Sequence, residues 1–158
     1  MRFRCHVEPT MSAEPVSLVA LPNASQPRPT VLVVEDDPDL AQTIADVVRD
    51  RRCRAVCAHN GLEALDVLEK ERPALMLIDL FMPVMNGAEL LKVIRQSPRL
   101  AQIPRVIMTG ANDPMIGVKQ DVSVFYKPLD FNALARLIQR HCATSAPQLA
   151  QWAPLPAV

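Results

Sequence analysis

Two uninterrupted apolar runs that both end in acid constrain this chain most. Val31-Leu32-Val33-Val34 leads directly into Glu35-Asp36-Asp37, and Leu75-Met76-Leu77-Ile78 leads directly into Asp79. Apolar runs without alternation suit strands covered on both faces, the usual condition of a parallel sheet. Elsewhere apolar positions recur at helical spacing, so strands and helices alternate in the manner of βαβ units. Residues 105–108 and 122–126 read as further strands. The weaker segment 54–57 reads as a second strand at a sheet edge.

Caps mark the helices. Asp37-Pro38 offers an N-cap followed by proline at the first helical position, and Leu40, Ile44, Val47 and Val48 then share a face. Asn60-Gly61 opens a second helix through about Lys70, with Leu65 and Leu68 inward. A third runs from about Asn86 to Gln96 and buries Leu91 and Ile94. Asp130 caps the last, with Phe131, Leu134 and Ile138 on one face. No internal repeat is evident.

Outside this alternating region the patterning stops. Residues 1–29 carry several prolines and no sustained periodicity, which predicts a disordered arm; Met11 is an alternative start. Residues 143–158 contain no charge, three prolines and the single tryptophan, Trp152, and read as a flexible tail. The folded domain is expected over 30–142.

Charge and cysteine usage narrow the function classes. Seventeen basic residues balance seventeen acidic ones, so bulk charge favours neither nucleic acid nor an anionic membrane. Cys5, Cys53, Cys57 and Cys142 form no CxxC pair, and Cys53 and Cys57 are expected to pack as small apolar groups in a reducing compartment. His6, His59 and His141 read as surface residues. Arg2 and Arg4 precede an apolar run too short and too interrupted for a secretory signal, and no stretch is apolar enough to span a membrane. A cytoplasmic protein without membrane insertion is expected.

In open α/β sheets, sites assemble at the carboxyl ends of the strands. Glu35 and Asp36 follow the first strand and Asp79 the third, so adjacent strands would gather their carboxylates. Crowded carboxylates repel unless a cation intervenes, and Mg²⁺ suits an oxygen donor set that leaves room for phosphate. Thr109 and Lys127 end the fourth and fifth strands and add a hydroxyl and an ammonium. A carboxylate nucleophile, a metal, an ammonium and a hydroxyl together suit phosphoryl transfer.

With these residues assembled, the chain resembles the receiver domain of two-component response regulators, the CheY-like family. The resemblance rests on Val33-Val34-Glu35-Asp36-Asp37, on Ile78 through Gly87, on Met108-Thr109-Gly110 and on Tyr126-Lys127-Pro128. It implies a doubly wound five-stranded parallel α/β sheet in the order 2-1-3-4-5. It further implies Asp79 as phosphoacceptor, Asp36 as direct metal ligand, Glu35 as the acid holding metal-bound water, and the Phe81 backbone carbonyl as a further ligand to Mg²⁺. Thr109 is implied as the hydroxyl that turns toward the phosphoryl group, Lys127 as its counter-charge, and Lys127-Pro128 as a cis peptide. The implied partners are a histidine kinase or histidine phosphotransfer protein and a downstream effector protein.

Three departures from the pattern stand out. Val124 occupies the place, three before the lysine, where the family often has a switching aromatic, and Tyr126 shares its face as a substitute. The interval from Thr109 to Lys127 is about a helical turn short and holds Pro114 and Gly117, so a short, irregular or absent fourth helix is expected there. Phe81 and Ala111, two residues beyond Asp79 and Thr109, are apolar, which predicts slow self-dephosphorylation.

The leading expectation is a single-domain response regulator that is no enzyme beyond its own phosphorylation and dephosphorylation and signals by protein contact. A phosphorylation-independent interaction module is the alternative. An aspartyl phosphatase would want a second aspartate where Phe81 stands, and a flavin domain would want a phosphate loop where Glu35 and Asp36 stand.

Overall fold

A computed structural model describes residues 28–110 and 122–144. Five parallel strands form one sheet in the order β2-β1-β3-β4-β5. The strands are β1 (Thr30–Val34), β2 (Arg54–Ala58), β3 (Leu75–Asp79), β4 (Arg105–Gly110) and β5 (Ser123–Lys127). The described helices are α1 (Pro38–Asp50), α2 (Gly61–Lys70), α3 (Gly87–Gln96) and α4 (Phe131–Thr144). A 3₁₀ turn over Leu100–Gln102, which periodicity did not signal, leads into β4.

Every residue of β1 and β3 is buried, as their unbroken apolar runs require. Helices cover both sides. Leu32, Val34, Met76, Ile78 and Ile107 face α2 and α3, where Leu68, Leu91 and Ile94 meet them. Val31, Val33, Leu77, Val106 and Met108 face the other way, onto Ile44 and Val48 of α1 and Leu134 and Ile138 of α4. Each fully buried leucine or isoleucine contributes about 2 kcal/mol from removal of apolar surface.

The caps stand where they were expected. The Asp37 side chain accepts from the N–H groups of Asp39 and Leu40 at 2.9 and 3.1 Å. Asn86 and Glu89 form a reciprocal capping box at the start of α3. Asp130 accepts from Asn132 and Ala133 at 2.9 and 3.0 Å.

Two details differ from the sequence expectation. Phe131 remains partly exposed in the first turn of α4, so the inward face of that helix begins at Leu134. The helix also continues through Thr144, past the expected domain end at residue 142. The expected short fourth helix falls on residues 111–121 and lies outside the described residues, as do residues 1–27 of the N-terminal arm, Met11 and Trp152.

Candidate functional site

β1 and β3 are paired with Val34 opposite Ile78, so the next residues, Glu35 and Asp79, emerge side by side. Alternation puts both on the side of the sheet taken by Val33 and Leu77. β5 delivers Lys127 with the same parity as Phe125, which packs on that side too. One carboxylate oxygen each from Glu35, Asp36 and Asp79 lies within 4.8 Å of the others. Glu35 and Asp79 are buried and Asp36 is exposed.

Lys127 joins the two buried acids. Its Nζ donates to Oδ2 of Asp79 at 2.8 Å and to Oε1 and Oε2 of Glu35 at 3.2 and 3.0 Å. The Phe81 backbone N–H donates to the other Asp79 oxygen at 3.3 Å. With all groups ionised, three carboxylates face one ammonium and leave two negative charges, an excess that a divalent cation matches. The donor set therefore fits Mg²⁺, a hard cation that takes carboxylate oxygens.

Protonation energetics record the same crowding. Burial, reinforced by the negative charge of Asp79, pushes Glu35 from 4.5 up to about 7. Burial alone would lower Lys127, but its hydrogen bonds to Asp79 and Glu35 outweigh that and hold it above the ordinary lysine value. Because folding raises the Glu35 pKa, the folded state holds this proton more tightly. The contribution of Glu35 to stability is therefore greatest below about 4.5 and is lost as pH rises toward about 7. Chemical denaturation of the metal-free protein should show a decline of roughly 2–3 kcal/mol across that window. Burial lowers His141, which gives a slope of opposite sign, so the decisive comparison is with Glu35→Gln, in which the decline should vanish.

Thr109 is fully buried on β4, in register with Tyr126 and one residue beyond Met108, the partner of Asp79. The Lys127-Pro128 peptide is cis. Val124 packs with the α2–α3 side and Phe125 with the α1–α4 side, while Tyr126 is 54% exposed. His59 is exposed beside the site, its Nδ1 3.3 Å from the Glu35 carbonyl oxygen. His141 is half-buried.

The loop after Asp79 is pinned twice. Gly61 N–H of α2 donates to the Met85 carbonyl at 2.9 Å, and Gly87 N–H of α3 donates to the Leu80 carbonyl at 3.0 Å. Between these anchors Val84 adopts φ 69°, a left-handed conformation that costs a β-branched residue about 1–2 kcal/mol. Its side chain is 76% exposed and contributes little burial. Val84→Gly should therefore raise stability by up to about 1 kcal/mol in urea denaturation, after allowing for the extra freedom of glycine when unfolded. Sequence periodicity carried no sign of this strain.

Residues 31–139 match the family model of the response regulator receiver domain. The chain belongs to this family. Among relatives of this receiver, an uncharacterized 14.6 kDa protein of Leptolyngbya boryana is 32% identical over 121 residues, 74% of this chain and 92% of that protein. The two-component response regulator ORR11 of Oryza sativa is 40% identical over 87 residues, which span 54% of this chain and 59% of the regulator. Among solved structures, a response regulator receiver protein from Pseudomonas putida is 30% identical, covers 72% of this chain and 97% of its own, and superposes with a TM-score of 0.65. The Francisella response regulator 1452 receiver domain gives 25% identity and a TM-score of 0.65 over 74% of this chain and 98% of its own. The receiver contains, among its described residues, no helix long and apolar enough to cross a membrane.

Proposed function

We propose that this receiver accepts a phosphoryl group on Asp79 from a histidine kinase or histidine phosphotransfer protein and signals through an altered surface presented to a protein partner. The observation that carries this reading is the bridge from Lys127 to both Glu35 and Asp79 within a cluster of three carboxylates. In the proposed reaction an Asp79 carboxylate oxygen forms the new O–P bond as the P–N bond to the donor imidazole breaks, and the imidazole nitrogen takes up a proton. Glu35, Asp36, Asp79 and the Phe81 carbonyl are the groups assigned to hold Mg²⁺. When bound, the ion supplies positive charge that offsets the carboxylates and the phosphoryl oxygens.

The chain's own groups do the rest. Phe81 N–H orients Asp79 by holding one of its oxygens. Lys127 exchanges part of its contact with Asp79 for the incoming phosphoryl oxygens, and Thr109 contributes its hydroxyl. Tyr126, exposed on an edge strand and sharing a face with Val124, is the side chain best placed to report the change to a partner.

The test is an NMR titration with Mg²⁺ and beryllofluoride, a mimic of the phosphoryl group. Shift changes should spread from Asp79 to Tyr126. Absence of a response at millimolar concentrations would instead favour a phosphorylation-independent interaction module. Because the Phe81 side chain carries no polar group to position water, the phosphorylated form should persist for minutes or longer. Acid-quenched decay of labelled protein within seconds would contradict this.

A further inference from the structure

The end of the sheet where the strands begin, opposite the carboxylates, carries charge of the other sign. A cleft of about 570 Å³ opens there, lined by Arg28, Arg49, Cys53, Arg54 and Ala55. Its three arginines are exposed and come from three segments: the residues ahead of β1, the last turn of α1 and the first position of β2. Thr30 is in register with Arg54, and Arg54 N–H donates to the Pro29 carbonyl at 2.8 Å. That pairing brings the chain ahead of β1 alongside the start of β2. The turn from α1 to β2 adds Arg51 and Arg52, both exposed. Its backbone is fixed by N–H donation from Arg51 and Cys53 to the Val48 carbonyl at 3.1 and 3.3 Å, and from Arg52 to the Arg49 carbonyl at 2.9 Å.

Ordinary helix chemistry accounts for only part of this array. A basic residue in the last helical turn answers the helix dipole, which explains Arg49. Arg28, Arg51, Arg52 and Arg54 lie outside the helix, and Arg52 has φ 59°, a conformation in which glycine is the usual residue. Charge does not balance locally either. Asp46 engages Arg49 at 2.7 Å, Glu71 engages Arg54, and Asp50 ends α1. Five arginines thus meet three acids and leave two positive charges in excess. Among the described residues no acid pairs with Arg28, Arg51 or Arg52. Arg54 directs its Nε–H to Thr30 at 3.2 Å and one Nη to Glu71, which leaves further N–H groups of its guanidinium for a ligand.

We infer that this cleft binds a small phosphate-bearing anion of nucleotide size, independently of the site at Asp79. A carboxylate lies in one plane and is satisfied by a single guanidinium fork, whereas guanidinium groups from three directions suit the tetrahedral oxygens of a phosphoryl group. The two excess positive charges match a phosphate dianion. The cleft volume falls within the range of small-ligand sites, and Cys53 and Ala55 give it a non-ionic wall against which the rest of the ligand can lie. The arginines converge on one cleft and are not strung along a face. That favours a small ligand over a nucleic-acid strand, which is held by a succession of backbone contacts.

The test is calorimetric titration of the full chain, in EDTA at low salt and neutral pH, with inorganic pyrophosphate and with ADP. Without Mg²⁺ the acidic cluster repels both probes, so binding is read at the arginines alone. Saturable binding with Kd at or below about 1 mM is expected, with NMR amide shifts confined to residues 28–30 and 49–55. Arg28→Ala with Arg49→Ala should weaken pyrophosphate by about tenfold or more. Arg49→Lys should weaken it by about threefold, because the charge remains but the fork is lost. Arg95→Ala, which removes the basic residue in the last turn of α3, should leave it unchanged. Failure to saturate by about 10 mM, or an equal loss in Arg95→Ala, overturns the site in favour of diffuse attraction. Citrate bound as tightly as pyrophosphate overturns the preference for phosphate. A single-stranded oligonucleotide that binds more tightly than ADP, with affinity growing with length, overturns the small ligand in favour of nucleic acid.

Discussion

Asp79→Asn should abolish phosphoryl acceptance and at the same time make the metal-free protein more stable. The first effect follows from removing the proposed nucleophile. An amide oxygen can still accept from Phe81 N–H or Lys127, so the fold survives while the reaction does not. The second follows from the repulsion that helps drive Glu35 up to about 7. With Asp79 neutral, Lys127 retains Glu35 as its charged partner, and the excess negative charge in the cluster falls by half. At pH 8 the gain should be about 1 kcal/mol, and the decline in stability between about 4.5 and 7 should flatten. Labelling with a small phosphodonor and urea denaturation read the two effects separately. Label retained in the variant would mean that another group, such as Glu35 or Asp36 of the same cluster, is the acceptor. A loss of stability would mean that the Lys127–Asp79 attraction outweighs carboxylate repulsion.

Gly87→Ala should be the most damaging single methyl addition near the site. A Cβ at Gly87 would stand 2.2 Å from the Asp79 carbonyl oxygen and 2.9 Å from Leu80 Cα. Both are backbone atoms of a buried segment, so α3 must move away from the end of β3, breaking the 3.0 Å hydrogen bond from Gly87 to Leu80. A cost at or above the upper end of ordinary overpacking, about 3 kcal/mol, is expected, together with loss of the Mg²⁺ response. Gly61→Ala is the control. There the added methyl meets the Met85 side chain at 2.5 Å, a flexible group that can turn aside. Its cost should stay within about 1 kcal/mol, because alanine also favours the helix. Circular dichroism melts of the two variants would separate backbone obstruction from side-chain crowding. Equal costs would show that the Gly87 backbone yields more easily than its surroundings suggest.

The fold was largely legible because β1 and β3 are buried on both sides, and such strands must be apolar at every position. Their ends were legible because the pattern breaks abruptly into acid. α1, α2 and α3 were marked by Asp37, Asn60 and Asn86, side chains that cap through local hydrogen bonds and so leave a local signature. The opposite orientations of Val124 and Phe125 followed from alternation alone. What local pattern could not supply were the long-range contacts. Lys127 and Glu35 are 92 positions apart, and nothing near either announces that one ammonium serves both acids. The left-handed Val84 was hidden for a different reason, since valine is among the residues least expected there.

The two anchors on the loop after Asp79 also limit how that loop can move. Held by α2 at Met85 and by α3 at Leu80, it cannot pivot about one end, because a turn about either hydrogen bond stretches the other. A displacement at Asp79 is therefore shared by two helices that lie on the same side of the sheet. The receiver's two sides are mechanically unequal: one is yoked directly to the loop after Asp79, while the other hears of it through Lys127.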